Sequence, residues 1–173
     1  MSIIDPYSFM IYSKFMKHIK LNNGMNAIVD DDDFEKLSKY QWRFNKEYAE
    51  ASTKIDGKRT TIRQHRLIMG LPQKVGIIDH INGNKLDNRK NNLRLCTPSQ
   101  NRMNTGPNIK NKLQVKGVVY RPTNSNRPYV AFIYKNYKQI YLGSHATIKE
   151  ASEAYNGAAK RLHGEFACSG KRG

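Results

Sequence analysis

Asp79 and His80 stand next to each other in this chain, with Asn92 and Asn101 following at short intervals. A carboxylate, an imidazole and two amides are side chains suited to hydrolysis of a phosphodiester. That reaction needs a base to deprotonate water, a hard cation on the phosphate oxygens and stabilisation of the departing oxyanion. Imidazole can act as the base because its pKa lies near neutrality. A carboxylate together with an amide oxygen can form a magnesium-type site that leaves room for substrate phosphate and water.

The flanking sequence predicts the elements that would gather these groups. Ile77–Ile81 and Leu93–Thr97 are strand-like, and the Asn/Gly-rich stretch between them can fold them into an antiparallel hairpin. Thr97-Pro98-Ser99-Gln100 then reads as a helix start, with a Thr N-cap, Pro at the first helical position and Gln placed for a capping box. Asn101 falls in the first turn of that helix, so a strand-strand-helix unit can focus Asp79, His80 and Asn101 on one point. Asn82, Gly83, Asn84, Asp87 and Asn88 are assigned to loop geometry. His18, His145 and His163 receive no role.

The segments Asp79-His80-Ile81-Asn82-Gly83-Asn84, Asp87-Asn88-Arg89, Asn92-Leu93-Arg94 and the downstream Asn101 resemble the HNH endonucleases, particularly the phage and intron-encoded branch. The resemblance covers roughly His65–Asn104. It implies a ββα-metal unit in which His80 is the general base, Asp79 and Asn101 ligate the metal, and Asn92 orients His80 through a ring nitrogen. His65, in Gln64-His65-Arg66-Leu67, matches the family's upstream histidine and joins the catalytic set. The implied activity is hydrolysis of double-stranded DNA to a 5′ phosphate and a 3′ hydroxyl, in a homing or nicking role. The implied cofactor is a divalent metal, Mg2+ first and Mn2+ as the alternative. The cysteine pairs that staple some relatives with zinc are missing, so no structural zinc is expected, and no small-molecule cofactor.

Beyond the polar run at 104–111, three short segments rich in Val, Ile, Tyr and Phe (Gly117–Tyr120, Tyr129–Tyr134, Gln139–Leu142) predict strands. In Thr147–His163, Ile148, Ala151, Ala154, Tyr155, Ala158, Ala159 and Leu162 recur at helical spacing, and Gly164 stands where a helix often ends. Gly117-Val118, Arg121-Pro122, Tyr141-Leu142-Gly143 and Leu162-His163-Gly164-Glu165 resemble the plant ethylene-response-factor DNA-binding domain, a three-stranded antiparallel sheet backed by one helix. A small basic sheet can enter the major groove, with charges on phosphates and side chains on base edges. The candidate DNA contacts are Arg121, Arg127, Tyr129, Lys135, Lys138 and Tyr141. Val119, Tyr134 and Gln139 replace base-reading arginines of the plant domains, so no target sequence carries over.

The whole chain sets the frame for these readings. Of its 173 residues, 30 are Lys or Arg and 14 Asp or Glu, a net charge of +16 that suits a nucleic-acid binder. Residues 1–60 hold 10 basic and 9 acidic side chains, against 20 and 5 in the remainder, which assigns the polyanion surface to the last two thirds. No apolar run approaches a membrane span, the apolar start (Ile3, Ile4, Tyr7, Phe9, Met10, Ile11) lacks a basic lead, and Cys96 and Cys168 form no C-x-x-C pair. A cytoplasmic protein without membrane partners is expected, as monomer or homodimer.

Upstream of the motif, a hairpin turns at Asn22-Asn23-Gly24, and Asp30–Asp33 cap a short helix through Phe34, Leu37 and Tyr40. Gln41–Phe44 and Tyr48–Ser52 read as strands, with Trp42 as a core anchor. The predicted class is α+β. A mixed strand/helix segment leads into the nuclease unit (1–104, motif core 65–104), followed by a linker (105–115), the sheet-and-helix domain (116–168) and a basic tail (169–173). Two other classes compete with a nuclease: a sequence-specific DNA-binding regulator with a silent motif, and an RNA-binding accessory protein, which would need stacking platforms for bases.

Overall fold

The computed structural model describes residues 16–72, 75–123 and 126–168. The apolar start at 3–11 and the basic tail at 169–173 lie outside the described residues. The chain divides into two compact units: residues up to His80 together with Lys85–Arg94, and Ile81–Asn84 together with Leu95 onward.

In the first unit, β1 (Met16–Lys20) and β2 (Asn26–Asp30) form the expected antiparallel hairpin. Leu21 N donates to Met25 O at 2.8 Å across its turn, and Gly24 supplies the positive φ of +83°. Helix α1 (Asp31–Ser38) follows. Asp30 sits at its N-cap position but makes no capping hydrogen bond there. Strands β3 (Arg43–Asn45), β4 (Tyr48–Ile55) and β5 (Lys58–Arg63) make an antiparallel sheet, of which β5 was not foreseen. Lys58–Arg63 is polar at nearly every position, so it carries little of the apolar alternation by which a half-buried strand is recognised. Helix α2 (Gln64–Ile68) leaves β5 directly, and β6 (Ile77–His80) pairs with β7 (Leu93–Cys96), whose first residues Leu93 and Arg94 belong to this unit.

The core of this unit gathers Ile19, Val29, Leu37, Ala51, Ile62, Ile78 and Leu93. Trp42 is 4% exposed, and its indole nitrogen donates to Leu37 O at 2.8 Å. The anchor role read from the sequence is therefore the role it has.

In the second unit, α3 (Pro98–Asn104) begins with both bonds of a capping box: Gln100 N donates to Thr97 Oγ1 and Thr97 N to Gln100 Oε1. The sheet order is β10–β9–β8, from β8 (Val118–Tyr120), β9 (Tyr129–Lys135) and β10 (Lys138–His145), with α4 (Ile148–His163) packed on one face. Ala131, Ile133, Ala151, Tyr155, Ala158 and Ala159 fill the interface between sheet and helix. Gly117 opens this module under tight constraint. Its φ is +70°, and a Cβ there would lie 2.1 Å from the Tyr155 ring and 2.6 Å from Phe132 O.

The division places α3 with the C-terminal sheet and not with the chain before it, unlike the boundary expected at 104. The segment expected as a linker is packed: Pro107 is fully buried, and Leu113 and Val115 rest against the Val118–Ala131–Ala151 cluster. Lys116 then donates from Nζ to the carbonyls of Arg102 (3.0 Å), Met103 (2.7 Å) and Thr105 (2.5 Å), adding a second cation to the last turn of α3 beside its own Arg102. Asn and Gly in this run mark turns, but composition does not show whether a turn is packed. Among the described residues, no helix is long and apolar enough to cross a membrane.

Candidate active site

Asp79 and His80 end β6, and both are nearly buried at 6% and 5% exposure. The loop that follows is fastened from behind. Ile28 N donates to Leu86 O and Asn88 N to Ile28 O, both at 2.8 Å, so 86–88 runs parallel to β2 as a short added strand. Asp30 Oδ2 accepts from Lys90 N at 2.8 Å, and Asp33 pairs with Lys90 Nζ at 2.8 Å. The acidic run at the start of α1 thus holds the loop as well as favouring the helix start. Asn92 Nδ2 donates to Asp87 O at 2.7 Å, which closes the loop on itself.

The partner found at His80 Nε2 is Asn88, whose Oδ1 lies 2.9 Å away. Asn88 is 1% exposed and donates from Nδ2 to Gln64 Oε1 at 2.7 Å. With its nitrogen committed to Gln64, Asn88 turns its oxygen to the ring. An amide oxygen only accepts, so Nε2 carries the proton and Nδ1 is the basic nitrogen. Asn92, expected to orient this ring, closes the loop through its Nδ2 as described above, and Asn88, read as loop geometry, is the residue that meets Nε2.

His65 packs edge-on against His80 with ring centroids 5.2 Å apart, and Tyr48 lies 5.3 Å from His65 and 6.2 Å from His80. Burial holds the His80 imidazole below its ordinary pKa, offset in part by the Asn88 oxygen and the charges of Asp79 and Asp87. His65 is pushed down to about 3, chiefly by burial, then by the charges of His80, Arg63 and Arg66. It is therefore a neutral ring at any pH near neutrality.

A depressed imidazole has a consequence for stability. Between about 6.5 and about 3 the unfolded chain binds a proton at His65 that the fold refuses. The contribution is complete above pH 6.5 and is lost as pH falls toward 3, on the order of a few kcal/mol. Urea midpoints measured from pH 7 to pH 4 should fall steeply for the parental chain and less so for His65→Gln. Equal slopes for the two would remove His65 as the cause.

Arg94 reaches Asp79 Oδ2 from Nε at 2.9 Å and from Nη2 at 2.7 Å, both side chains being largely shielded from solvent. Asn101 lies half-buried in the first turn of α3, in the second unit, where its side chain makes no hydrogen bond among the described residues. Within that unit Asn104 Nδ2 donates to Ile81 O at 3.3 Å, the carbonyl of the residue that follows His80 in the chain.

Among the described residues no three His, Cys, Asp or Glu side chains gather as a metal cage. The donors that the motif offers are one carboxylate and one amide, an oxygen-only set that fits a hard cation completed by water and phosphate.

The C-terminal candidates divide by position. Arg121 and Arg127 flank the β8–β9 turn, with Arg121 N donating to Pro128 O at 2.7 Å. Lys135 and Lys138 are exposed and directly paired across the next turn, and Tyr141 is 65% exposed with its hydroxyl 2.9 Å from Ser144 Oγ. Tyr129 differs. By strand alternation it shares the face of Ala131 and Ile133, and it packs on the cluster beneath α4.

The sequence reading missed Gln64, Tyr48, Asn88 and Arg94. Asn88 and Arg94 stood inside the motif, so their position was the available signal. Gln64 is the first residue of α2 and Tyr48 the first of β4, and the place of each at the site comes only from what folds against it.

A family model described as HNH endonuclease matches residues 69–103. A protein of Acanthamoeba polyphaga mimivirus named "Uncharacterized HNH endonuclease L560" is 34% identical over 154 residues, an alignment that covers 86% of this chain and 76% of that protein. No solved structure matches.

Proposed function

The chain belongs to the HNH endonucleases, and from that premise we propose that it hydrolyses duplex DNA with a divalent metal, leaving a 5′ phosphate and a 3′ hydroxyl. The observation that carries this reading is the buried His80 ring, neutral at working pH, beside Asp79 and fixed through Nε2 by Asn88 and Gln64. His80 Nδ1 takes the proton from the attacking water. Asn88 holds the tautomer that makes this possible, and Gln64 holds Asn88. Asn92 keeps the loop that carries Asn88 closed through Asp87 O.

Asp79 and Asn101 are the residues that would hold the metal, Mg2+ first and Mn2+ as the alternative. Bound there, the cation would supply charge stabilisation for the phosphate and the leaving oxygen. Arg94 fixes the Asp79 carboxylate from the side of Oδ2.

The sheet β8–β10 is the targeting surface in this reading, with Arg121, Arg127 and Tyr141 toward DNA and Lys135 and Lys138 reaching it from the exposed β9–β10 turn, not from the open face of the sheet. What supports it is exposure together with a basic second unit; Tyr129 leaves the set because it packs inward. A homing or nicking role belongs to the same reading, and the relative is a viral protein.

The test is incubation with supercoiled plasmid and Mg2+, with EDTA as control. One centre cuts one strand per visit, so relaxed circles should accumulate before linear DNA and should disappear with EDTA. End-labelling of the products should find the 5′ phosphate. Cleavage undiminished by EDTA would overturn the metal-dependent mechanism.

A further inference from the structure

Strands β4 and β5 present two unlike faces. Ala51↔Ile62, Thr53↔Thr60 and Ile55↔Lys58 share one face, where Ala51 and Ile62 are buried in the core. Glu50↔Arg63, Ser52↔Thr61 and Lys54↔Arg59 share the other, and Arg43 of β3 extends it opposite Glu50. Ser52, Thr61, Lys54 and Arg59 are all exposed. By strand alternation Tyr48 lies on this same face, in ring contact with His65 and His80, and the Arg63 guanidinium sits 4.7 Å from its ring centroid. The polar face therefore starts at the catalytic imidazole and runs outward for six residues along β4, about 20 Å at the usual rise of a strand.

Its far end is charged in a way that folding does not favour. Lys54 and Arg59 are directly opposite each other, and like charges in that position destabilise a strand pair. Neither has an acidic partner among the described residues. Glu50, the carboxylate on this face, is already bound by Asn45 (2.8 Å) and Arg63 (3.0 Å). The near neutrality of residues 1–60 hides this arrangement, because Asp30, Asp31 and Asp33 are committed to Lys90 and Lys17.

We propose that this face is a second DNA-contacting surface, a β-ribbon that grips backbone phosphates flanking the cut, with Lys54 and Arg59 at its outer end. A two-stranded ribbon fits the major groove, and phosphate contacts fix the register of a protein on the duplex. The track begins at His80, so holding the duplex along it places a phosphate at the base. The inference rests on the reading of the chain as a DNA endonuclease centred on His80.

The test is the salt dependence of duplex binding by the full chain, parental and Lys54→Gln/Arg59→Gln, with hydroxyl-radical footprinting of both. The loss of two phosphate contacts should reduce the slope of log K against log salt by about 2 and weaken binding at 0.1 M salt roughly ten- to a hundredfold. Protection should vanish on the deoxyriboses about 20 Å from the cut, at the outer end of the track, and persist next to it. The same variant should melt about 1 to 3 °C higher, because the like-charge pair is gone. Lys20→Gln/Lys39→Gln, which removes two cations outside this sheet, should leave the slope near the parental value.

An unchanged slope in the Lys54/Arg59 variant, or an equal loss in the Lys20/Lys39 variant, overturns the track and leaves the nuclease reading standing. A variant that loses affinity for RNA but not for duplex DNA also overturns it. A parental chain that neither binds nor cuts duplex DNA brings down both.

Discussion

Replacing His80 with alanine is expected to slow DNA cleavage by about 100-fold or more while leaving duplex affinity close to the parental value. The ring is buried, so it contributes little to the surface that meets phosphate, and its value lies in one nitrogen. Burial favours its neutral form, and the Asn88 oxygen favours the proton on Nε2, which makes Nδ1 the basic nitrogen of the ring. The parental rate should therefore rise with pH through an inflection below the ordinary imidazole value of 6.5 and then level off. His80→Ala should lose that inflection. Single-turnover rates from pH 5 to 8, with melting curves to confirm the fold, measure both effects. Parental rates in His80→Ala would show that the base is another residue.

Asp79→Ala is expected to abolish metal-dependent cleavage and also to destabilise the first unit by about 3 to 5 kcal/mol. Arg94 is only 11% exposed at its side chain, and Asp79 neutralises it through two hydrogen bonds to one oxygen. Removing the carboxylate leaves a desolvated guanidinium without that compensation, which costs more than the pair contributes when intact. The double variant Asp79→Ala/Arg94→Met should recover most of the stability, because the charge leaves with its partner, but should recover no cleavage. Denaturation midpoints separate the two effects. A double variant as unstable as Asp79→Ala would show that the ion pair is not the cause, and one that cleaves would remove Asp79 from the metal site.

Much of the fold was legible locally. The capping box at Thr97 and Gln100, the turn at Gly24 and the apolar spacing of α4 are properties of a few neighbouring residues, and each forms as its neighbours dictate. Strand β5 escaped because its exposed, charged residues carry almost no alternation. The packed segment 105–115 escaped because Asn and Gly are read as turns whether or not the turn is buried, and the tie that packs it comes from Lys116, beyond its end.

For the site, sequence by itself determined the residue types and their order: Asp79-His80 at a strand end and Asn101 in the first turn of a capped helix. These are encoded within one short stretch, where spacing along the chain is nearly spacing along an element. Tertiary structure decided which residues meet the His80 ring. Gln64 reaches Asn88 across 24 positions and Asp30 reaches Lys90 across 60. It also decided that Tyr129 turns inward and that Lys54, Arg59 and Arg63 gather on the face leading away from His80. A side chain's partner across such a separation depends on how strands pair and which faces are buried, and neither is written in its immediate neighbours.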